Sequence, residues 1–484
     1  MKQGLLITAT VGIMGCCTPA FADDAAEVAA LKKEVKALEA RINELEKREQ
    51  KPTQYTAQPT APADATLAKR VAVVEHNQKV VQEQEAKKPD VAVNDKGLTI
   101  TSPDKQYSLN LHGYVQADNR TFLGGGAKNG TTDTFLIRSA RPIIEAKMTD
   151  YFGMRFMMDF GKGQTTLLDA YGDFHPMPGT DYINLRAGEF KSPVGLERWQ
   201  NESKVLFVER GQTTNLVPYR DVGVMLYGNP VPKQLEYELA LLNGAADLQA
   251  NTGTDNDNKK DVAGRIFTHP LAWINVQALK GLGLGVGGTY GIHQGNTAIA
   301  ANGGLTAGYV TVGQRAYFTY AAGSFADGAQ WRVNPQAMYY NGPFSLLGEY
   351  VMNSQEIGHG ANVATLENKA WEGIATYVLT GEDASFEGVK PAHNFNPKAG
   401  DWGAFELVGR VSELNVDRQA FPNFASLTTS SRQAFERTLG GTWYFNPWVK
   451  LNLDFSYTTF EAGAAGGADH ADEKAVMTRT QVRF

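Results

Sequence analysis

The chain has 484 residues, of which 42% are hydrophobic and 20% charged, and its formal net charge is −6. This length suits several soluble domains or one large barrel with an appendage, and the small charge excess without a basic stripe excludes a nucleic-acid partner. The mean hydropathy of −0.32 and the lack of a long apolar run after the N-terminus exclude transmembrane helices there. They do not exclude membrane strands, in which only alternate residues are apolar.

Residues 1–22 are predicted to be a secretory signal peptide. Lys2 gives the positive start, an apolar stretch follows, and Ala20–Ala22 forms a small-residue cleavage site. Cleavage there removes Cys16 and Cys17, the 2 cysteines of the chain, so we expect neither a disulfide nor a cysteine metal site. The alternative is lipoprotein processing, with a cleavage box that would leave Cys16 acylated.

Residues 23–97 are predicted to form a periplasmic stalk that oligomerises. Between residues 27 and 49, apolar side chains recur at alternating spacings of three and four residues, which is the pattern of a short coiled coil. A Pro-, Thr- and Ala-rich linker occupies residues 51–64, and a weaker apolar repeat then continues as far as Pro89. A single amphipathic helix packed on a domain is the alternative for residues 27–49.

From residue 98 onward the apolar period becomes two residues, which places apolar and polar side chains on opposite faces of a strand. One long candidate, residues 308–320, lies in a Gly-rich stretch and is assigned to a loop. The remaining sixteen predicted strands lie near residues 107–117, 134–146, 152–160, 167–175, 181–190, 220–229, 233–243, 261–269, 281–293, 330–341, 343–353, 367–380, 401–414, 433–445, 449–458 and 476–484.

These strands predict an all-β fold: a 16-stranded antiparallel transmembrane β-barrel over residues 98–484, with an N-terminal α-helical coiled-coil extension. A barrel of that size encloses an aqueous lumen. Strands of a soluble sandwich alternate in the same way, but so many of them after a secretion signal favour the barrel. In the last strand, Arg479 and Arg483 are expected to face the lumen, and Phe484 is expected to be the signal for the outer-membrane assembly machinery.

The segment Leu136–Glu145 (Leu-Ile-Arg-Ser-Ala-Arg-Pro-Ile-Ile-Glu) resembles a strand of the phosphate-selective porin O and P family. Similar motifs follow in the same order at Leu185–Glu197, Tyr339–Tyr350 and Gly403–Arg410, and the resemblance covers residues 98–484. It implies a homotrimeric porin in the bacterial outer membrane, in contact with membrane lipid and lipopolysaccharide. Small anions or other hydrophilic solutes would pass through it.

Phosphate-preferring members of that family line the pore with arginines and lysines and fold a long loop into the lumen. The corresponding loop here is residues 191–219. From this resemblance and from strand alternation, the anion-binding or constriction candidates are Arg138, Arg155, Asp169, Arg186, Lys191, Arg198, Lys204 and Arg210. Tyr114 and Ser139 stand where such members carry arginines, so a mild anion preference is expected. The alternative is that each cation is an ordinary lumen charge paired with a carboxylate.

We therefore predict passive diffusion of small hydrophilic solutes, with phosphate among the candidate anions. No catalytic residue, cofactor or metal is predicted, because the chain lacks G-x-S-x-G and H-E-x-x-H and its 8 histidines have no metal-like spacing. The first alternative is a general or sugar-type porin without anion selectivity. The second is a structural tether that links the outer membrane to the cell wall through the stalk.

Overall fold

The computed structural model describes residues 63–85, 87–124, 131–250, 255, 257–274, 276–295 and 303–484. The predicted signal peptide, both cysteines and the coiled-coil segment lie outside these described residues. Helix α1 (Ala63–Glu85) has 23 residues, and Val71 and Val74 of the weaker apolar repeat are exposed on it. No helix within the described ranges is both long enough and apolar enough to cross a bilayer.

Strands make up most of the described residues after α1, with loops that carry short helices. The strands and helices in chain order are β1 (Asp90–Asn94), β2 (Gly97–Thr101), β3 (Tyr107–Phe122), β4 (Thr134–Met148), β5 (Phe152–Asp159), β6 (Thr166–Phe174), β7 (Asn184–Lys191), α2 (Leu196–Trp199), β8 (Arg220–Val231), β9 (Leu235–Leu242), β10 (Asp261–Thr268), α3 (Gln277–Lys280), β11 (Leu282–Gln294), β12 (Tyr309–Val310), β13 (Ala316–Phe318), β14 (Ser324–Asn341), β15 (Phe344–His359), β16 (Asn362–Val378), β17 (Ala404–Asn415), β18 (Ser431–Tyr444), β19 (Val449–Ala462) and β20 (Glu473–Arg483).

The strands close into a barrel. All but β12 and β13 belong to one 18-stranded sheet, in which β1 and β2 form an appended hairpin and the other 16 strands pair antiparallel in sequence order. The last strand pairs with the first barrel strand, from Ala475 opposite Phe122 to Arg483 opposite Tyr114. The predicted 16-stranded barrel is therefore confirmed, and each predicted strand overlaps one barrel strand.

Two small hairpins lie outside the sixteen barrel strands. Strands β12 and β13 form a separate two-stranded sheet within residues 308–320, which explains why that segment resembled a strand without entering the barrel. Strands β1 and β2 pair with each other and extend the sheet beside β3, with Leu98 opposite Leu111. Strand β1 thus lies on the stalk side of the predicted boundary at residue 97 but belongs to the barrel sheet.

Side chains alternate between the outer surface and the lumen along the barrel strands. On β20, Arg479 is buried in the lumen and bonds Asp118 of β3, whereas Val482 is exposed. Arg479 therefore lies where the sequence predicted it. The end of the barrel where Phe484 lies is called the C-terminal end below, and the other end is called the opposite end.

Part of the lumen near the opposite end is filled by a hydrophobic core. Phe318 of β13 stacks against Tyr309 of β12 and contacts Tyr320 edge-on. These rings pack with inward-facing side chains such as Val351 and Leu366 of the barrel. The core occupies the side of the lumen formed by β14–β19, so the open space lies along β4–β8.

Replacing Phe318 with alanine should loosen this core. Phe318 is completely buried, and truncating a buried phenylalanine costs about 3–5 kcal/mol through lost transfer free energy and an unfilled cavity. We expect residues 303–323 to become sensitive to protease while the barrel itself stays closed. The measurement is limited proteolysis of the refolded variant. Leu439→Ala, at an exposed lipid-side position, is the control, and equal protection of both variants would contradict the account.

Candidate functional site in the barrel lumen

Strands β7 and β8 are joined by residues 192–219, called the constriction loop below. It carries α2 and the 3₁₀ turns Glu202–Lys204 and Gln212–Leu216, and most of its side chains are buried. A loop on the barrel rim would be exposed on most sides, so this burial places residues 192–219 inside the lumen.

The first part of the constriction loop is bound to the wall formed by β14 and β15. The Glu349 carboxylate accepts hydrogen bonds from the backbone N–H groups of Leu196 (2.7 Å) and Glu197 (3.1 Å). The amide oxygen of Asn334 accepts one from Gly195 N–H (2.9 Å). These side chains satisfy the N–H groups that begin α2, which have no partner within the helix.

The middle part of the loop lies against β19. Lys450 Nζ donates to the Val205 carbonyl (3.0 Å), and the Val208 N–H donates to Asp454 Oδ2 (2.6 Å). The loop therefore crosses the lumen from the β14–β15 wall to β19. The inward fold expected from the sequence is confirmed by these contacts.

Glu209 binds the end of this loop segment to β3, β4 and β20. The pairing of β20 with β3 closes the barrel, and these strands are called the barrel seam below. Its Oε1 accepts from Arg138 Nε (2.6 Å) and Arg120 Nη2 (2.5 Å), and Arg479 Nη2 lies 3.5 Å away. Burial opposes ionisation of Glu209, but Arg138 and Arg120 hold the pKa of this carboxyl far below its usual range. Glu209 is thus an anion in a ring of three guanidinium groups.

The loop leaves a first recess between itself and the opposite end of the barrel. This cavity measures about 280 Å³. Three carboxylates line it, Asp159, Glu202 and Glu209. Its cationic lining is larger: Arg138, Arg141, Lys162, Arg198 and Arg210. The first recess therefore carries a net positive charge.

A second recess of about 190 Å³ lies on the C-terminal side of the loop. Its carboxylates are Asp169 and Glu202. Its cationic residues are Arg141, Arg155, Arg186, Lys191 and Arg220. Both recesses are lined by Arg141 and Glu202, so they adjoin at that pair and together follow the β4–β8 side of the lumen.

The cations of the second recess are held by defined partners. Asp169 accepts from Arg155 Nε (3.0 Å) and Arg220 Nε (2.7 Å). Arg186 binds Asp173 with two hydrogen bonds (2.8 and 3.1 Å) and lies over the Tyr171 ring. These pairs fix the guanidinium groups in place, and a fixed donor needs no reorganisation when an anion arrives.

Lys191, the last residue of β7, and Arg198 of the constriction loop are held mainly by carbonyl oxygens. Lys191 Nζ donates to the carbonyls of Trp199 (3.1 Å) and Gln200 (2.9 Å). Arg198 donates to the carbonyl of Thr214 (2.8 Å), and burial together with the nearby Arg210 lowers the pKa of Arg198 to about 10. Neither cation has its charge neutralised by a bonded carboxylate.

Lys204 is the one predicted site residue that lies elsewhere. It lines a separate cavity of about 230 Å³ at the C-terminal end, beside Lys390, Lys450 and Arg483. The carboxylates of that cavity are Asp95 and Glu387. The structure therefore brings the other seven predicted residues to the two recesses and places Lys204 outside them.

Arg141 was missed as a site residue because strict alternation puts Arg138 and Arg141 on opposite faces of β4. The register between β3 and β4 shifts at Gln116, so Arg138 is an extra, bulged residue. A bulge re-aims a side chain, and both arginines line the first recess. A similar shift beside Met157 leaves Leu168 without a cross-strand partner, and Leu168 lines the same recess.

Lys162 and Arg220 were also missed. Lys162 lies in a 3₁₀ turn with a φ of 56°, and the sequence pattern does not predict such a turn. Burial and the nearby Arg138 lower the pKa of Lys162, which shows how closely cations are crowded in the first recess. Arg220 directly follows the predicted loop, within the residues 98–484 that resemble the porin family, and that position was the signal that could have identified it.

Comparison with known proteins shows that one family model and several solved structures match this chain. The sequence model of "Phosphate-selective porin O and P" matches residues 109–484. Porin O of Pseudomonas aeruginosa is 27% identical over 425 residues, covering 82% of this chain and 93% of that protein.

Two solved outer-membrane structures are similar at low identity. The channel DcaP of Acinetobacter baumannii has a TM-score of 0.49 at 11% identity, covering 78% of this chain and 97% of that one. An anion-selective porin from Comamonas acidovorans has a TM-score of 0.48 at 10% identity, covering 78% of this chain and 100% of that one.

Proposed function

The chain belongs to the phosphate-selective porin O and P family, and on this premise we propose that its pore mildly favours anions over cations. It is an outer-membrane porin that lets small hydrophilic solutes diffuse passively through a water-filled pore. Members of the family are channels rather than enzymes. The two recesses along β4–β8 are the part of the lumen that would set the ion preference.

The proposal rests on guanidinium nitrogens that have no hydrogen-bond acceptor. Within the described residues, Arg198 Nε and Arg220 Nη1 are buried without a hydrogen-bond partner in the protein. Arg198 lines the first recess and Arg220 the second. A buried donor without an acceptor is costly, and a passing anion supplies the acceptor. A cation would be disfavoured at the same positions by the net positive charge of each recess.

Phosphate is the anion that fits these donors best. A guanidinium group can donate two parallel hydrogen bonds to one phosphate, and several such groups line each recess. Tyr114, which stands where phosphate-selective members carry an arginine, accepts from Arg141 Nη1 (2.8 Å). That bond occupies a donor that would otherwise face the lumen, which supports a mild preference over strict selectivity.

Competition between phosphate and chloride tests the proposal. Chloride current through single channels of the full chain is measured in planar bilayers while phosphate is added at constant ionic strength. We expect a saturable decrease in chloride current, because both anions would use the same guanidinium groups. A current that is insensitive to phosphate would refute phosphate binding and leave a general porin.

Two variants, Arg220→Gln and Lys204→Gln, distinguish anion binding in the two recesses from anion binding in the cavity at the C-terminal end. Because charge-assisted hydrogen bonds are worth about 1.5–3 kcal/mol, losing Arg220 should weaken phosphate inhibition roughly tenfold or more. Lys204→Gln removes the same charge from the separate cavity and should change inhibition by less than about threefold. The reverse ranking in the competition measurement would place the anion site at the C-terminal end.

We also propose that the porin is a homotrimer with residues 23–97 in the periplasm. The family resemblance supports the trimer. The turns of two to four residues that join β4 to β5, β8 to β9, β14 to β15 and β18 to β19 at the C-terminal end support a periplasmic position for that end, since outer-membrane barrels have short periplasmic turns. Native mass measurement of the detergent-extracted protein should give three copies. A monomer in mild detergent would contradict this assembly.

A further inference from the structure

Carboxyl groups crowd against the constriction loop on the wall opposite the cationic recesses. Glu349 of β15, Glu372 of β16 and Glu436 of β18 meet Glu197 of the loop, and each is at most 5% exposed. One guanidinium group, Arg410 of β17, lies among them. These five residues are called the carboxyl cluster below.

Three of the four carboxyl groups have hydrogen-bond donors. Arg410 donates to Glu436 through Nε (3.1 Å) and Nη2 (2.8 Å), and to Glu197 through Nη1 (3.2 Å). Glu197 also accepts from the Gly211 N–H (2.7 Å). Glu349 accepts the two N–H groups that begin α2. Arg410 is therefore shared between Glu197 and Glu436, and none of its hydrogen bonds goes to Glu372.

Glu372 is the exception. Its Oε2 is buried without a donor within the described residues. It lies so close to Gly211 of the loop that a side chain there would collide with it. Its charged neighbours are Glu349 on β15, Glu197 on the loop and Arg410 on β17, with Glu436 beyond Arg410.

A fully ionised cluster would hold too much negative charge in a dry site. When two carboxyl groups at hydrogen-bonding distance are desolvated, ionising both of them costs a large free energy. Glu372 lies within hydrogen-bonding reach of Glu349. Burial also raises the pKa of Glu197, against the effect of Arg410. A proton on Glu372 removes one negative charge. It also supplies an O–H group that can donate a hydrogen bond to Glu349.

We propose that the carboxyl cluster is a proton-dependent clasp that positions the constriction loop against the β15–β18 wall. The inference rests on the proposed function, because it assigns the loop the role of setting the pore width. With Glu372 protonated, the loop is held. Loss of that proton as the pH is raised adds an unpaired charge beside Gly211 and Glu197, so the loop moves away from the wall and the conductance changes.

The test is single-channel conductance of the full chain in planar bilayers as the pH is raised from mildly acidic to alkaline. We expect the wild-type conductance to change as the pH is raised and Glu372→Gln to lose that response, because an amide keeps the shape and cannot ionise. Glu406→Gln is the matched control. Its carboxyl is equally buried on β17 but bonds Tyr444 (2.8 Å) rather than the loop, so the response should persist.

Gly211→Ala is a second variant that does not depend on Glu372→Gln folding. Its methyl group would push the Glu372 carboxyl away, so the altered conductance should appear already at acidic pH. A pH-independent wild-type conductance, or a response kept in Glu372→Gln, would overturn the clasp. The reversal potential measured in the same bilayers separates the two ideas, since a pH-responsive channel without anion preference refutes only the proposed function.

Discussion

Replacing Arg141 with glutamine is expected to weaken the anion preference of the pore. Arg141 lines both recesses and lies 3.9 Å from Glu202 at the place where they adjoin. Without its charge, the cation excess of each recess would fall by one, and Glu202 would be paired only with Arg210 at that passage. Phosphate inhibition should weaken roughly tenfold or more, because a hydrogen bond to a charged group is worth about 1.5–3 kcal/mol. Reversal potential and phosphate competition are the two measurements.

The Arg141→Gln variant should still fold. Asp159, the ion-pair partner of Arg141 at 2.7 Å, also accepts from the N–H groups of Ala140 and Gly161 (both 2.9 Å). Arg437→Gln is the control for total charge, since Arg437 is exposed on the outer surface over Phe435. An unchanged reversal potential in Arg141→Gln, or an equal shift in the control, would remove Arg141 from the selectivity mechanism.

Replacing Glu209 with alanine should lower both the stability of the barrel and the attachment of the constriction loop. Arg138 would lose both of its bonds, from Nε (2.6 Å) and Nη2 (3.0 Å), and breaking a buried ion pair from one side costs about 3–5 kcal/mol. We expect the free energy of unfolding in detergent to fall by about that amount. The loop would also lose its attachment to the seam, so conductance should increase.

The Arg138→Gln/Glu209→Ala double variant is the control. Removing the stranded guanidinium should restore part of the lost stability, as a double-mutant cycle would show for a coupled pair. Additive losses would mean that the two residues do not stabilise each other. Because the pKa of Glu209 in the folded chain is below its usual value, its contribution is present at neutral pH. That contribution is lost only as the pH falls below the usual glutamate range.

The barrel strands could be predicted because their signal is local. Alternation along β19 or β20 places apolar side chains on lipid and polar ones in the lumen, whatever the neighbouring strands contain. The same reasoning located the loop at residues 191–219. It could not show that the loop binds Glu349 on one wall and Lys450 on another, since those contacts join residues more than a hundred positions apart.

The missed site residues have a common physical cause. Alternation assumes an unbroken register, and the bulge at Arg138 breaks it, so Arg141 was not recognised as its neighbour. Lys204 was predicted from the family resemblance of its position, and the separate cavity at the C-terminal end could not be read from sequence spacing. The signal peptide, the coiled coil and the stalk boundary remain predictions.

The reversal potential of the wild-type channel in a KCl gradient tests the central claim most directly. Net positive recesses with unpaired guanidinium nitrogens predict a potential of the sign given by chloride moving faster than potassium. The deviation of the reversal potential from zero should decrease as the salt concentration rises, because mobile ions screen fixed charges. A potential of the opposite sign would show a cation-selective pore and contradict the assignment of the two recesses as anion sites.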